Sequence, residues 1–236
     1  MVRLLPDFAC SVGDRDLKLG RKTSRVIMNL ALENEGVKRE ALRVRLWPDQ
    51  APGQSAKRLR QLLWRIRRHT RDALIVASHD RLALAEAVAV DYRAAEAIAS
   101  NVLPGRTSEL PVMDPMIPRL LGTELLRGVT DEEILDAQAR WDRLRQLALE
   151  RLALAHIEIG ETGIAAELAT AAADVDELAE RPHRILVEAY LHEGDTIGAR
   201  RAYLHFEELA RRHLEADPSP AFRKLITDIA RPTDAR

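Results

Sequence analysis

A short phrase occurs twice in the second half of the chain. Gly160-Glu161-Thr162 and Gly194-Asp195-Thr196 stand 34 residues apart, and Ala165 and Ala199 keep the same offset. On both sides of each phrase apolar residues recur at helical spacing, over 131–159, 164–173, 178–193, 196–214 and 221–230. In the first of these segments Ile134, Ala137, Trp141, Leu144, Ala148, Leu152, Ala155 and Ile159 fall on one side. The repeating unit is therefore a helix, a glycine turn and a second helix. A single pair of this kind cannot bury its apolar face, and stacking a second pair on it does.

A period of about 34 residues is that of tetratricopeptide arrays, with small residues where paired helices approach closely. Two helical hairpins of matched length by coincidence are the alternative. Apolar residues make up 46% of the chain and charged ones 31%, an ordinary globular composition. The net charge of −1 conceals a division. Residues 1–100 carry 19 Lys and Arg against 12 Asp and Glu, a net of +7; the remainder carries 17 against 25, a net of −8. A basic module joined to an acidic one is the expectation, with the Pro-dense stretch 101–118 (Pro104-Gly105, Pro111, Pro115, Pro118) as the linker.

In the basic half, residues 2–12 read as a strand ending in the turn Gly13-Asp14-Arg15-Asp16, with Leu17-Lys18-Leu19 as a short return strand. Gly20 opens a helix in which Val26, Ile27, Leu30 and Ala31 share a face, and Gly36 ends it. A second helix covers 39–46, with Ala41, Leu42 and Leu46 inward and Trp47-Pro48 as its stop. Ser55 offers an N-cap for a third helix. Ala56, Leu59, Leu62, Leu63 and Ile66 give that helix one apolar stripe, and its other faces carry Lys57, Arg58, Arg60, Gln61, Trp64, Arg65, Arg67 and Arg68. Between residues 57 and 71 there are seven Lys or Arg and no acid. A helix solvated by salt bridges would place Glu or Asp four residues from its cations. A β-hairpin around His79-Asp80 follows.

Paired strands, three helices and a closing hairpin describe a winged helix-turn-helix whose third helix lies in the major groove. The segment resembles the OmpR-type version of that domain. Leu46-Trp47-Pro48-Asp49, Ser55 and Arg65-Ile66-Arg67-Arg68 resemble the N-terminal module of the Streptomyces antibiotic regulatory protein (SARP) family. Further on, Leu126-Arg127-Gly128 with Asp131-Glu132, the run Arg143-Leu144-Arg145, Gly194-Asp195 with Ala199 and Tyr203, and Asp217-Pro218-Ser219-Pro220 resemble a bacterial transcriptional activation domain. The wing turn, His79-Asp80-Arg81-Leu82, lacks the Gly-Tyr pair common in the family.

Arginine donates two hydrogen bonds to the O6 and N7 atoms of guanine. By helical spacing Arg58, Gln61 and Arg65 share a face opposite the apolar stripe, and with Arg60 they are the base-reading candidates. Positions matching these serve the same purpose in OmpR-type domains, as the resemblance implies. Lys57, Trp64, Arg67 and Arg68 suit phosphate or sugar, and Arg21 and Lys22, placed before the first helix, add a phosphate contact. Arg81 at the wing either enters the minor groove or is an ordinary exposed turn arginine.

Other chemistry is poorly represented. Cys10 is the single cysteine, so no internal disulfide or cysteine metal pair forms, and His183, His192, His205 and His213 lack ligand spacing. Trp47 and Trp141 belong on apolar stripes, and Asp131-Glu132-Glu133 are helix-start acids. No phosphate-binding loop or catalytic triad spacing is present, so neither an enzyme nor a cofactor is expected. The start of the chain lacks a signal-peptide pattern and no run is long enough to span a membrane, which fits the bacterial cytoplasm.

The expected protein is mainly α: a winged helix-turn-helix (α+β) over 1–100, the linker 101–118, and an all-α TPR-like activation domain over 119–236. Its function is sequence-specific regulation of transcription, with double-stranded promoter DNA as the partner. The resemblance implies an activator that binds promoter direct repeats as a homodimer and recruits RNA polymerase holoenzyme. The alternative is a TPR-type interaction adaptor whose winged helix has degenerated.

Overall fold

A computed structural model of the chain describes residues 1–103 and 116–229. It contains two compact units. The first comprises Met1–Ala97 together with Thr123–Trp141, the second the described parts of Ile98–Gly122 and Asp142–Arg236.

The first unit opens with a small antiparallel sheet in the order β1 (Val2–Arg3), β2 (Ala9–Val12), β3 (Arg15–Asp16), with Val2 opposite Cys10 and Val12 opposite Arg15. The single strand expected over 2–12 is thus two strands. Its return partner lies at Arg15–Asp16 rather than 17–19, because Gly13, at φ +57, turns the chain two residues earlier. Three helices follow: α1 (Arg21–Leu32), α2 (Arg39–Leu46) and α3 (Pro52–Thr70). They bury Val26, Ile27 and Leu30 from α1, Leu42 and Leu46 from α2, and Leu59, Leu62, Leu63 and Ile66 from α3. Each such side chain contributes roughly 1.5–3 kcal/mol. Ala41 and Ala56 are half-buried at the margin.

Between α1 and α2, β4 (Val37–Lys38) joins the hairpin of β5 (Ile75–Ala77) and β6 (Arg81–Leu84) in the order β4-β6-β5, all antiparallel. This is winged helix-turn-helix topology. Gly36 makes the sheet possible. At φ +74 it sits so close to β6 that a Cβ would meet the Leu82 carbonyl oxygen at 2.5 Å.

Ser55 is not the N-cap of α3. Proline has no amide hydrogen to satisfy and fits the first helical position, so the helix begins at Pro52 after Ala51. Ser55 lies buried one turn in, its hydroxyl donating to the Pro52 carbonyl (3.1 Å).

A helix absent from the sequence reading, α4 (Asp91–Val102), follows β6. Its first residue accepts from the backbone amides of Leu4 and Leu5 (2.7 and 3.2 Å), which ties the start of the chain to it. Arg93 donates to the carbonyls of Leu30, Ala31 and Glu33 at 2.8–2.9 Å. It thereby caps α1, whose last turn has no basic residue of its own.

Residues 123–141 complete this unit. Leu126 and Arg127 donate backbone hydrogen bonds to the carbonyls of Leu4 and Pro6 (2.9 and 2.8 Å). Trp141, fully buried as expected, stands edge-on to Tyr92 at 5.5 Å and donates to the Thr123 carbonyl (3.0 Å). Trp47 is buried too.

The second unit is helical. α5 (Met116–Leu121) includes Pro118, so part of the expected linker is ordered helix, as are Asn101 and Val102 at the end of α4. Pro104, Gly105, Pro111 and Pro115 lie outside the described residues. Then come α6 (Glu132–Glu158), whose residues up to Trp141 belong to the first unit, α7 (Thr162–Ala173), α8 (Glu180–Glu193), α9 (Thr196–Leu214) and α10 (Pro220–Ile229). Ile159 does not complete the stripe of α6: the helix stops one residue earlier, and Ile159 is exposed in the turn.

The 34-residue repeat is structural. Gly160 and Gly194 adopt left-handed φ of +80 and +85, and Ala165 and Ala199 are fully buried on α7 and α9. Val187, Tyr203, Phe206, Ala210 and Phe222 form the core of α8, α9 and α10. The fold is thus a winged helix followed by a helical-repeat region. Among the described residues no helix is long and apolar enough to cross a membrane, and no cluster of His, Cys, Asp or Glu is arranged to hold a metal.

Candidate nucleic-acid interface

The surface of α3 is set by what holds its inner face. Its leucines and isoleucine (Leu59, Leu62, Leu63 and Ile66) are all buried, so the residues between them must point outward. Lys57, Arg58, Arg60, Gln61, Trp64, Arg65 and Arg68 are all exposed, and Arg67 is half-buried. The start of the helix is fixed from α2, where the Arg43 guanidinium donates to the Pro52 carbonyl (2.9 Å). Its end turns through Arg71 and Asp72, both left-handed, with the Asp72 amide donating to the Arg67 carbonyl (3.0 Å).

Among the described residues Lys57, Arg58, Arg60, Arg65 and Arg68 form no ion pair. Arg67 has a loose one, 3.6 Å from Asp72 at the far end of the helix. Arg68 lies over the Trp64 ring at 5.3 Å, which leaves a flat, 60% exposed indole and a guanidinium on one patch. A row of solvated cations with no acid beside it gives this face a positive potential.

Arg21 and Lys22 are the first two residues of α1 rather than a segment before it. Lys22 donates to the Leu46 carbonyl (3.0 Å) and stands 5.3 Å from the centre of the Trp47 ring. Its burial, and then the charges of Arg25, Arg58 and Arg21, push its ammonium below the ordinary lysine value. That coupling places Arg58 of α3 and the start of α1 within one positive field.

Arg81 stands apart. Its guanidinium donates to the carbonyls of Glu35 (3.2 Å) and Gly36 (2.8 Å), so it braces the hairpin against the turn before β4. The wing turn itself exposes His79 and Asp80.

Arg60 borders an open groove that the sequence reading did not anticipate, lined also by Lys38, Arg39, Arg43, His79 and Asp80. The available signal was Arg39 and Arg43, four apart on α2 and flanking the inward Leu42.

Residues 119–230 match the family described as the bacterial transcriptional activator domain. No curated protein matches the chain. Among solved structures, Mycobacterium tuberculosis EmbR in complex with a low affinity phosphopeptide is similar in fold, with a TM-score of 0.68 and 19% identity. The likeness covers 100% of this chain and 66% of that one, so this chain spans just under two thirds of that protein's length. The domain match supports a regulatory, non-enzymatic role for this chain.

Proposed function

We propose that this chain is a SARP-type, sequence-specific DNA-binding regulator of transcription, acting as an activator. The observation that carries the reading is the acid-free, exposed outer face of α3. Arg58, Gln61 and Arg65 hydrogen-bond to base edges in the major groove, with Arg60 beside them. Lys57, Trp64, Arg67, Arg68, Arg21 and Lys22 set the register on the phosphates and sugars. Arg81 supports the wing from behind. DNA binding belongs to residues 1–100 and activation to 119–236, joined by 101–118. Two copies occupy direct repeats in a promoter, and the helical repeats engage RNA polymerase holoenzyme in the cytoplasm.

One observation favours the adaptor reading: the wing turn presents Asp80 toward solvent while Arg81 is held by two carbonyls. A gel-shift on the DNA upstream of the protein's own gene, run at two salt concentrations, separates the two. A regulator retains a preferred duplex at the higher salt, whereas an adaptor binds all duplexes alike or none.

A further inference from the structure

We propose that the groove between α9 and α10 receives an acidic amphipathic helix of a partner protein. The inference concerns the helical repeats alone and goes beyond the DNA-binding reading. The groove has a volume of about 580 Å³ and is lined by the apolar side chains of Ile197, Tyr203, Leu204 and Ile226. Ile197 is 65% exposed and Leu204 48%, a large apolar area to leave in water beside a concave surface. The two lie seven residues apart, on one stripe of α9 about 10 Å long. A partner helix with apolar anchors at i, i+4 and i+7 matches that length.

Charge selects the kind of helix. Arg200 and Arg201 stand exposed between the two apolar residues and form no ion pair among the described residues. No acid lies three or four residues from either on α9. Three turns on, the same helix treats its arginines differently: Arg211 lies 3.8 Å from both Glu207 and Asp217, and Arg212 pairs with Glu208 at 2.5 Å. Glu207, the one acid among the described residues that line the groove, lies near Arg211 and the Tyr203 hydroxyl. In a half of the chain with a net charge of −8, two cations without an ion pair among the described residues stand beside exposed Ile and Leu and give the groove a local basic, apolar character. Carboxylates flanking the anchors of a partner helix complete it.

The test uses the full chain and a fluorescein-labelled peptide of about four helical turns, with leucines at i, i+4 and i+7 and glutamates between them. Anisotropy should show saturable binding that weakens at least tenfold with Arg200→Glu/Arg201→Glu and with Ile197→Ser. The lysine-for-glutamate peptide should bind the double Glu variant better than it binds the wild type. All of these substitutions are at exposed positions, and unchanged ellipticity confirms that the fold is kept. Four results would overturn the proposal: no binding, equal binding of the acidic and basic peptides, displacement by duplex DNA as readily as by unlabelled peptide, or concentration-dependent self-association lost on Ile197→Ser.

Discussion

Arg65 and Lys57 lie on one helix and differ in what they are expected to touch, and substitution separates the two roles. Arg65→Ala should cost about 1–3 kcal/mol of specific affinity and relax the preference at one base position. Lys57→Ala should weaken binding to every duplex and lower the salt slope by about 1; competition binding with single-base variants of the site reads both effects. The outward placement of Arg58, Gln61 and Arg65 was legible because apolar spacing fixes the opposite face. The tethering of Arg81 was not, since its acceptors, Glu35 and Gly36, lie more than forty residues away. A third residue reports on the helical repeats. His183 is buried, 4.8 Å from Phe206, with its Nε2 3.0 Å from the Glu177 carbonyl. Burial, with the nearby His205 charge opposing Asp174 and Asp176, pushes its folded pKa below the ordinary histidine value. The unfolded state then binds the proton more readily, so stability is full above about pH 6.5 and falls as pH drops toward the folded value. Thermal unfolding from pH 7.5 to 5.5 should show this slope, and His183→Gln should flatten it.

Three glycine turns with similar backbone angles should not respond alike to alanine. At Gly160 and Gly194 a Cβ meets nothing within 4 Å, so the left-handed backbone alone sets the cost, about 1 kcal/mol each. At Gly36 the new methyl would collide with the Leu82 carbonyl and the Ala83 side chain. Gly36→Ala should therefore destabilise the first unit by more than either turn substitution and loosen the pairing of β4 with β6; urea denaturation ranks the three. The elements of the sequence reading that stood, α1, α2, α3, the hairpin and the five helices of the repeat region, have strong local periodicity or turn residues. α4 escaped notice because its positions are fixed by distant partners. Asp91 holds Leu4 and Leu5, Arg93 caps α1, and Tyr92 meets Trp141. Arg93→Met should cost about 2 kcal/mol of stability in the first unit, since three carbonyls at the end of α1 lose a charged donor.

At the scale of the whole chain, charge divides more cleanly than structure. The basic and acidic halves were legible by counting, yet the first compact unit reclaims Thr123–Trp141 from beyond the proline-rich stretch. That recruitment depends on Leu126, at φ +48, and Arg127 donating to the Leu4 and Pro6 carbonyls, contacts that no local pattern announces. The functional weight still rests on one surface, the outer face of α3. It is tested most directly by comparing the wild-type chain with the Arg58→Ala/Gln61→Ala/Arg65→Ala variant on the protein's own upstream duplex and on a scrambled duplex. The measurement is fluorescence anisotropy across a salt series. If α3 reads bases, the wild type prefers the upstream duplex and the variant loses that preference while keeping residual, salt-sensitive binding to both. Equal binding of the two duplexes by the wild type, or an unchanged preference in the variant, would contradict it.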